Sequence, residues 1–591
     1  MTVVESRVVY EVRGDGTYTR EETAKVRINT AQALQSQSQT YLPYSESLQR
    51  LEVLDAYTET ADGQRVDVAP EQIVTQQGPI STNAPAFADI KIEAIVFPRM
   101  EPGATKVYHF RLTQMRPLFA NEFSMLEQFP SVLDIDSATV TLIAPSDLKM
   151  HVQAIGVQGG AAKPEKRGQA KWIWTLEKGK AVPPEPGAVN PLDVSPRIAA
   201  TTFADFGAAA KAYLAGAADK AAVTPAVKKR ADEITAGITN PRKQAEALYN
   251  WVASNIRYVA LTFGLGGVVP RTADAILETG YGDCKDNVVL LGALLAAKGI
   301  ESSPVLVNAQ NAYWQPEVAI VPGVYNHAIA YLPDFDMFLD PTASVAPFGV
   351  LPVRELGKSA LVTAGLDKGA GLATLPFGAA TAETVTKIEV AKDGSANGET
   401  TMSATGALEF VIRASMAGIP PGQQDQLAAR LLASSGQLGQ GTLASSDARN
   451  LAEPFSIRAS FSLQNAMNAP GPGAMPIPLG IPGPVALAAF PRETALPARR
   501  QPSTCMPYDK TETTTVAFPE GVEPKQLPSA VEVENRAGRY EAKYTRDGRS
   551  VTVTRRLVLH PASAVCTPED YQEIRALGQA VGRDLRAQIF Y

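Results

Sequence analysis

The sequence predicts a multidomain chain in three parts: a β-sandwich N-terminal region, a central α+β core and a β-rich C-terminal region. Three observations point there. Asp-Gly pairs flanked by apolar alternation are hairpin signals, and they occur early (Asp15-Gly16, Asp62-Gly63) and late (Asp393-Gly394, Asp547-Gly548). A Pro/Gly-rich stretch at 182–196 (VPPEPGAVNPLDVSP) reads as a linker. Beyond it the composition turns Ala- and Lys-rich, and helical spacing replaces alternation. With 591 residues the chain is too long for one core. Its 45% apolar and 20% charged content is that of an ordinary globular protein. A net charge of −6 with no basic arm argues against a nucleic-acid partner.

In the N-terminal region, 1–195, Val140, Leu142 and Ala144 alternate until Pro145 ends the run, and Trp172 and Trp174 mark another sheet face. The core spans 200–375. Residues 203–217 and 226–236 read as helices, and Asn240-Pro241 supplies an N-cap followed by a first-turn proline. The next helix carries Leu248, Trp251, Val252, Asn255 and Ile256 at helical spacing, so one face is apolar. Residues 258–261 read as a short strand before a glycine loop at 264–267. A helix near 283–298 is stopped by Gly299. Residues 304–308, 325–332 and 337–339 read as strands, the last two joined by a turn at Pro333-Asp334. In the C-terminal region, 380–591, the β signals return. There 424–434 reads as a helix, 468–484 as a long Pro/Gly surface connection, and 568–589 as a closing amphipathic helix.

The chemistry concentrates in Gly280-Tyr281-Gly282-Asp283-Cys284-Lys285-Asp286. Asp283 can cap a helix whose first residue is Cys284, and the run behind it (NVVLLGALLAA) is apolar nearly all round, so that helix is expected to be buried. A thiol there meets free backbone N–H groups and the positive end of the helix dipole, which favour thiolate and can stabilise an oxyanion. Of the four histidines, His327 lies on a strand of the same core. Its hairpin partner ends in Phe338-Leu339-Asp340. An even-length loop around Pro333 to Phe335 sets His327 opposite an even-numbered residue, so Asp340 falls on the same face, directly across or one diagonal step away. Nucleophile, base and orienter then follow the general triad logic.

This pattern resembles the transglutaminase-like superfamily, papain-type folds with the thiol at a helix N-terminus and His and Asp on adjacent strands. The resemblance rests on GDCKD, His327 and Asp340. Trp251-Val252 and Ile256-Arg257-Tyr258 look like the start of the same core, and the likeness covers 225–345. Residues 1–195 look like the β-rich domain of unknown function that often precedes such cores in bacterial secreted or periplasmic proteins. The C-terminal region resembles their β-rich tails in general character.

The resemblance implies Cys284 as nucleophile, His327 as general base and acid, and Asp340 as orienter. It further implies a thioester acyl-enzyme formed on a peptide or protein substrate, with no metal or organic cofactor. Water needs no second substrate site, so a cysteine peptidase or amidase is expected ahead of a protein-crosslinking acyltransferase. The rival from another class is a non-catalytic envelope binding or scaffold protein. A periplasmic or extracellular location is implied, with the signal peptide removed. Residues alone leave open a cytoplasmic protein or a mature secreted chain.

Other features read more plainly. His109, His151 and His560 stand alone on strand-like segments, and neither CxxC nor HxxxH spacing suggests zinc. The glycines at 264–267 lack the Lys-Ser/Thr of a phosphate loop. Asp334 and Asp336 suit the turn they occupy. Trp251 could face an oxyanion by family analogy, but reads first as a core residue. Lys285 reads as a solvated charge and Asp286 as a first-turn helix stabiliser. The apolar stretch 288–297 is about half a membrane span. Cys505 and Cys566 could be reduced core residues or a disulfide, which the chain-entropy model values at about 4 kcal/mol and which would support an oxidising compartment.

Overall fold

Alternation in the first strand, Thr2–Val12, buries Val8, Tyr10 and Val12 and leaves Arg7 and Glu11 exposed, so the strand lies on a one-sided core. The computed structural model describes residues 1–78, 89–261, 264–366, 369–420, 422–469 and 471–591. Thr2–Val12 sits inside an eight-stranded sheet, parallel to Asp134–Pro145 and antiparallel to Tyr18–Arg27. Register places Val8 beside Glu22 and Glu22 beside Phe110, so one face runs continuously across these strands. Two three-stranded sheets cover that face. Ile95 and Phe97 close over Phe110 at one end, while Met125, Ile198 and Ala200 close over Tyr10 and Leu142 at the other. The result is a two-layer sandwich.

The stretch 182–196 is no free linker. It contains the short helix Pro191–Val194. Val189 N–H donates to the Pro502 carbonyl, Thr504 N–H to the Gly187 carbonyl, and Asn311 Nδ2 to the Ala188 carbonyl. Backbone groups that a solvated linker would leave to water thus join all three regions.

In the core, Asp205, Thr224, Asn240, Thr272 and Asp283 each cap a helix with a side-chain oxygen. Helix Cys284–Ala296 is packed by helices Pro241–Asn255 and Ala273–Thr279 and by strand His327–Leu332. That strand belongs to a five-stranded antiparallel sheet buried on both faces. Leu306, Ala328, Ala330, Leu332 and Leu339 face the helices, whereas Val305, Val307, Ile329, Tyr331 and Phe338 join the apolar cluster of the C-terminal region. The two-residue period of a strand therefore makes the C-terminal region the second wall of the core.

The C-terminal region repeats the device of the first: an eight-stranded sheet in which Ala380–Val390 runs parallel to Tyr508–Ala517. Sequence reading overlooked helix Ala407–Ala417. The closing helix stops at Asp584, and Gln588–Phe590 turns back to pair with Ala474–Pro476. Residues 468–484 are correspondingly not a plain surface connection, because Met475, Ile477 and Ile481 are buried. Cys505 and Cys566 are joined as a disulfide. Among the described residues no helix is long and apolar enough to cross a membrane.

Candidate active site

Cys284 opens its helix behind Asp283, whose carboxylate accepts the Asp286 N–H, and its thiol is partly exposed. Asp286 is fully buried and held by Arg271 through both the backbone N–H and Nε, each at 2.8 Å. Gly282 allows this packing, since a Cβ there would lie 2.6 Å from the Asp286 Cβ. Lys285 corrects the expectation of a solvated charge: it is 5% exposed and ion-paired with Asp283. Its ammonium also reaches the Leu261 carbonyl, so the loop ahead of the nucleophile covers it. Burial pushes the Asp283 carboxyl up, and the Lys285 charge opposes that rise.

His327 begins its strand, and its Nε2 lies 3.1 Å from Asp340 Oδ2. The hairpin pairs Ala330 with Leu339 and Leu332 with Met337, which places Asp340 one diagonal step from the position opposite His327. Asp336 occupies a left-handed turn position and accepts from the Tyr331 hydroxyl, so it serves the turn. The Cys284 sulfur is a neighbour of the His327 ring and favours its charged form. With Nε2 committed to Asp340, Nδ1 is the nitrogen left for sulfur. Burial works against a charged His327, but the Asp340 carboxylate and the Cys284 sulfur hold the ring well above the ordinary histidine range. Burial likewise opposes ionisation of Asp340. The His327 charge and two hydrogen bonds from Thr342 to Oδ1, at 2.7 and 2.9 Å, keep it below the usual carboxylate range.

Two further groups stand here to which the sequence assigned no role. Glu355 is 2% exposed, with Oε1 3.9 Å from His327 Nε2. Burial, then the Asp340 charge, push its carboxyl well above the ordinary range. Tyr258 pairs with Gly282 across a short parallel bridge and is half exposed; burial and the neighbouring Cys284 raise its phenol. Trp251 stacks beneath the Arg230 guanidinium at 5.3 Å, as a packed helix residue would.

His327, Asp340 and Glu355 each offer a ligand atom, and these lie within 4.8 Å of one another. No His/Cys motif spacing announces that set, because three separate segments supply it. The fold thus gathers Cys284, His327 and Asp340 into one site, while His109, His151 and His560 lie elsewhere, on or just beyond strands of the flanking regions.

Residues 228–332 match the transglutaminase-like superfamily. Residues 14–183 match the domain of unknown function DUF3857, and residues 485–591 match the domain of unknown function DUF3858. The chain is therefore a transglutaminase-like core flanked by these two β-rich domains. A crystal structure of a candidate protease from Parabacteroides distasonis is similar over 100% of this chain and 99% of its own, with a TM-score of 0.72 at 14% identity. At that identity the likeness shows the fold alone. An M1 zinc metallopeptidase from Deinococcus radiodurans overlaps 33% of this chain and 42% of its own at 15% identity, with a TM-score of 0.19, which carries no argument. No curated protein matches the chain.

Proposed function

We propose that this protein is a cysteine hydrolase of the transglutaminase-like type that cleaves a peptide or amide bond through a thioester. The single observation carrying the reading is that His327 bonds Asp340 at 3.1 Å and neighbours Cys284, whose sulfur favours the ring's charge from the N-terminus of a buried helix. A raised imidazolium next to a sulfur at such a helix end favours the thiolate–imidazolium pair. In the proposed cycle the thiolate attacks the substrate carbonyl carbon, and unpaired backbone N–H groups of the first helical turn stabilise the oxyanion. His327 gives its proton to the departing amine, leaving a thioester. It then takes a proton from water as the water attacks, and the carboxylic acid leaves with Cys284 free again.

Transfer to an amine would give a crosslinking enzyme, and loss of turnover would leave an envelope scaffold. Hydrolysis needs no second substrate site, and that favours it over transfer. The Cys505–Cys566 disulfide supports passage through an oxidising compartment, and we propose a periplasmic or extracellular location.

The test is alkylation of the unreduced protein by iodoacetamide from pH 5 to 9, comparing wild type with His327→Ala. Fast labelling of Cys284 below pH 7 that is lost in the variant is the expected outcome. An ordinary thiol profile in both would overturn the reading. A peptide-library assay of wild type against Cys284→Ala then separates turnover from binding that survives the substitution.

A further inference from the structure

Glu355 is a buried group beside the site that this mechanism leaves unused. It closes the single turn Val353–Glu355, between the core sheet and the C-terminal region. The charged and titratable groups that face it are His327 from strand His327–Leu332, Asp340 just beyond strand Met337–Leu339, Tyr249 from helix Pro241–Asn255, and Lys358 along its own segment. Two of these are committed elsewhere. The Tyr249 hydroxyl donates to the carbonyls of Asp340 and Ala346, and the Lys358 ammonium to those of Asn308 and Gln310. Among the described residues, only the His327 imidazolium lies within ion-pair distance of both carboxyl groups, while Lys358 acts on Glu355 from farther off, so ionising both carboxyls in this buried site is costly.

The hydrogen bonds decide which of them keeps a proton. Asp340 receives His327 on Oδ2 and Thr342 twice on Oδ1, as an anion would. Glu355 Oε2 is buried and has no partner among the described residues. We propose that Glu355 is a positioning residue, which stays protonated and donates to Asp340, extending the buried chain to Cys284–His327–Asp340–Glu355. The proposal rests on the reading of Cys284 and His327 given above.

A neutral donor pins the Asp340 carboxylate toward Nε2 without adding charge, and so keeps Nδ1 aimed at sulfur. The C-terminal region seats this donor. Gly357, two residues on, has φ +66°, and a Cβ there would lie 3.0 Å from the side chains of Ala564 and Phe377.

The experiment uses the full chain as wild type, Glu355→Gln and Glu355→Ala, each labelled with carbon-13 in the histidine rings. His327 is titrated by NMR, with His327→Ala for assignment, and Cys284 is timed with iodoacetamide. The glutamine variant keeps a neutral donor, so its His327 midpoint is expected within about 0.3 pH unit of wild type. Its labelling rate is expected within about threefold, while the alanine variant loses about tenfold or more as Asp340 swings free. A midpoint lowered by about one unit or more in the glutamine variant would show that Glu355 was ionised, and would overturn the proposal. So would equal labelling in all three proteins, or stoichiometric zinc uptake by wild type that the glutamine variant loses. Should the alanine variant not fold, the glutamine arm and the titration decide. If wild-type Cys284 labels as an ordinary thiol, the catalytic reading fails, yet the His327 titration still reports whether Glu355 carries charge.

Discussion

Two regions of this molecule bury charge, and they do it differently. In the C-terminal region Arg555 and Asp584 are 1% and 3% exposed and meet at 2.6 Å. Tyr540 and Tyr544 each donate to Asp584, at 2.7 and 2.5 Å. One cation and two neutral donors satisfy the Asp584 carboxylate, although Arg555 Nη2 has no partner among the described residues, and the cluster ties the end of helix Pro568–Asp584 to its sheet. In the core, one imidazolium pairs with two carboxyls while Lys358 acts from farther off, and among the described residues a carboxyl oxygen of Glu355 has no partner. A balanced cluster specifies geometry. An unbalanced one must hold a proton that can be placed or moved, and this is the kind that lies beside a nucleophile.

Removing charge from each cluster should therefore break different properties. The largest effect is expected in the core: His327→Ala should slow iodoacetamide labelling of Cys284 at pH 6 by roughly 10²-fold or more. Thermal melting of the same variant should fall far less than its reactivity. Stripping the C-terminal cluster with Asp584→Ala leaves Arg555 buried without its anion, and should cost about 3–5 kcal/mol in urea unfolding. Labelling of Cys284 in the folded fraction should be unchanged. A like loss of reactivity in Asp584→Ala would erase the contrast between the regions. Replacing Cys505 and Cys566 together by alanine should cost about 2–5 kcal/mol, read in the same denaturant series.

The smallest effect is a pH dependence. His327 is raised in the folded state, so its contribution is complete below its unfolded value of about 6.5 and is lost as pH climbs through the folded value. Asp340 is depressed, so its contribution is present above its unfolded value of about 3.9 and is lost on acidification. Glu355 is raised, so the unfolded chain releases its proton first, and Glu355 weakens the fold as pH climbs above about 4.3. Glu355→Gln removes that last term. Its stability relative to wild type should be greater at pH 8 than at pH 5, and a difference that stays flat with pH would mean Glu355 does not titrate this way.

How far the sequence carried depended on the range of the interaction. Asp283 as a cap, Cys284 as the first helical residue and the shared face of His327 and Asp340 are set within a turn or a hairpin. Capping and strand parity act over a few residues, so they can be read locally. Lys285 misled because its burial depends on the loop at Leu261, which no local pattern places over it. The stretch 182–196 read as a linker because Pro and Gly mark irregular backbone equally well whether water or protein meets it.

The sequence by itself determined the three-part order, the caps, and the residues that could supply a thiol, a base and a carboxylate, because these follow from periodicity and short-range hydrogen bonding. Only the tertiary structure decided that the core sheet would be buried on both faces. It also decided that Glu355 would arrive beside Asp340, and that Cys505 would meet Cys566. Each depends on segments far apart in the chain being brought together and dried, and the energy of a buried charge is a property of what surrounds it rather than of its neighbours in sequence.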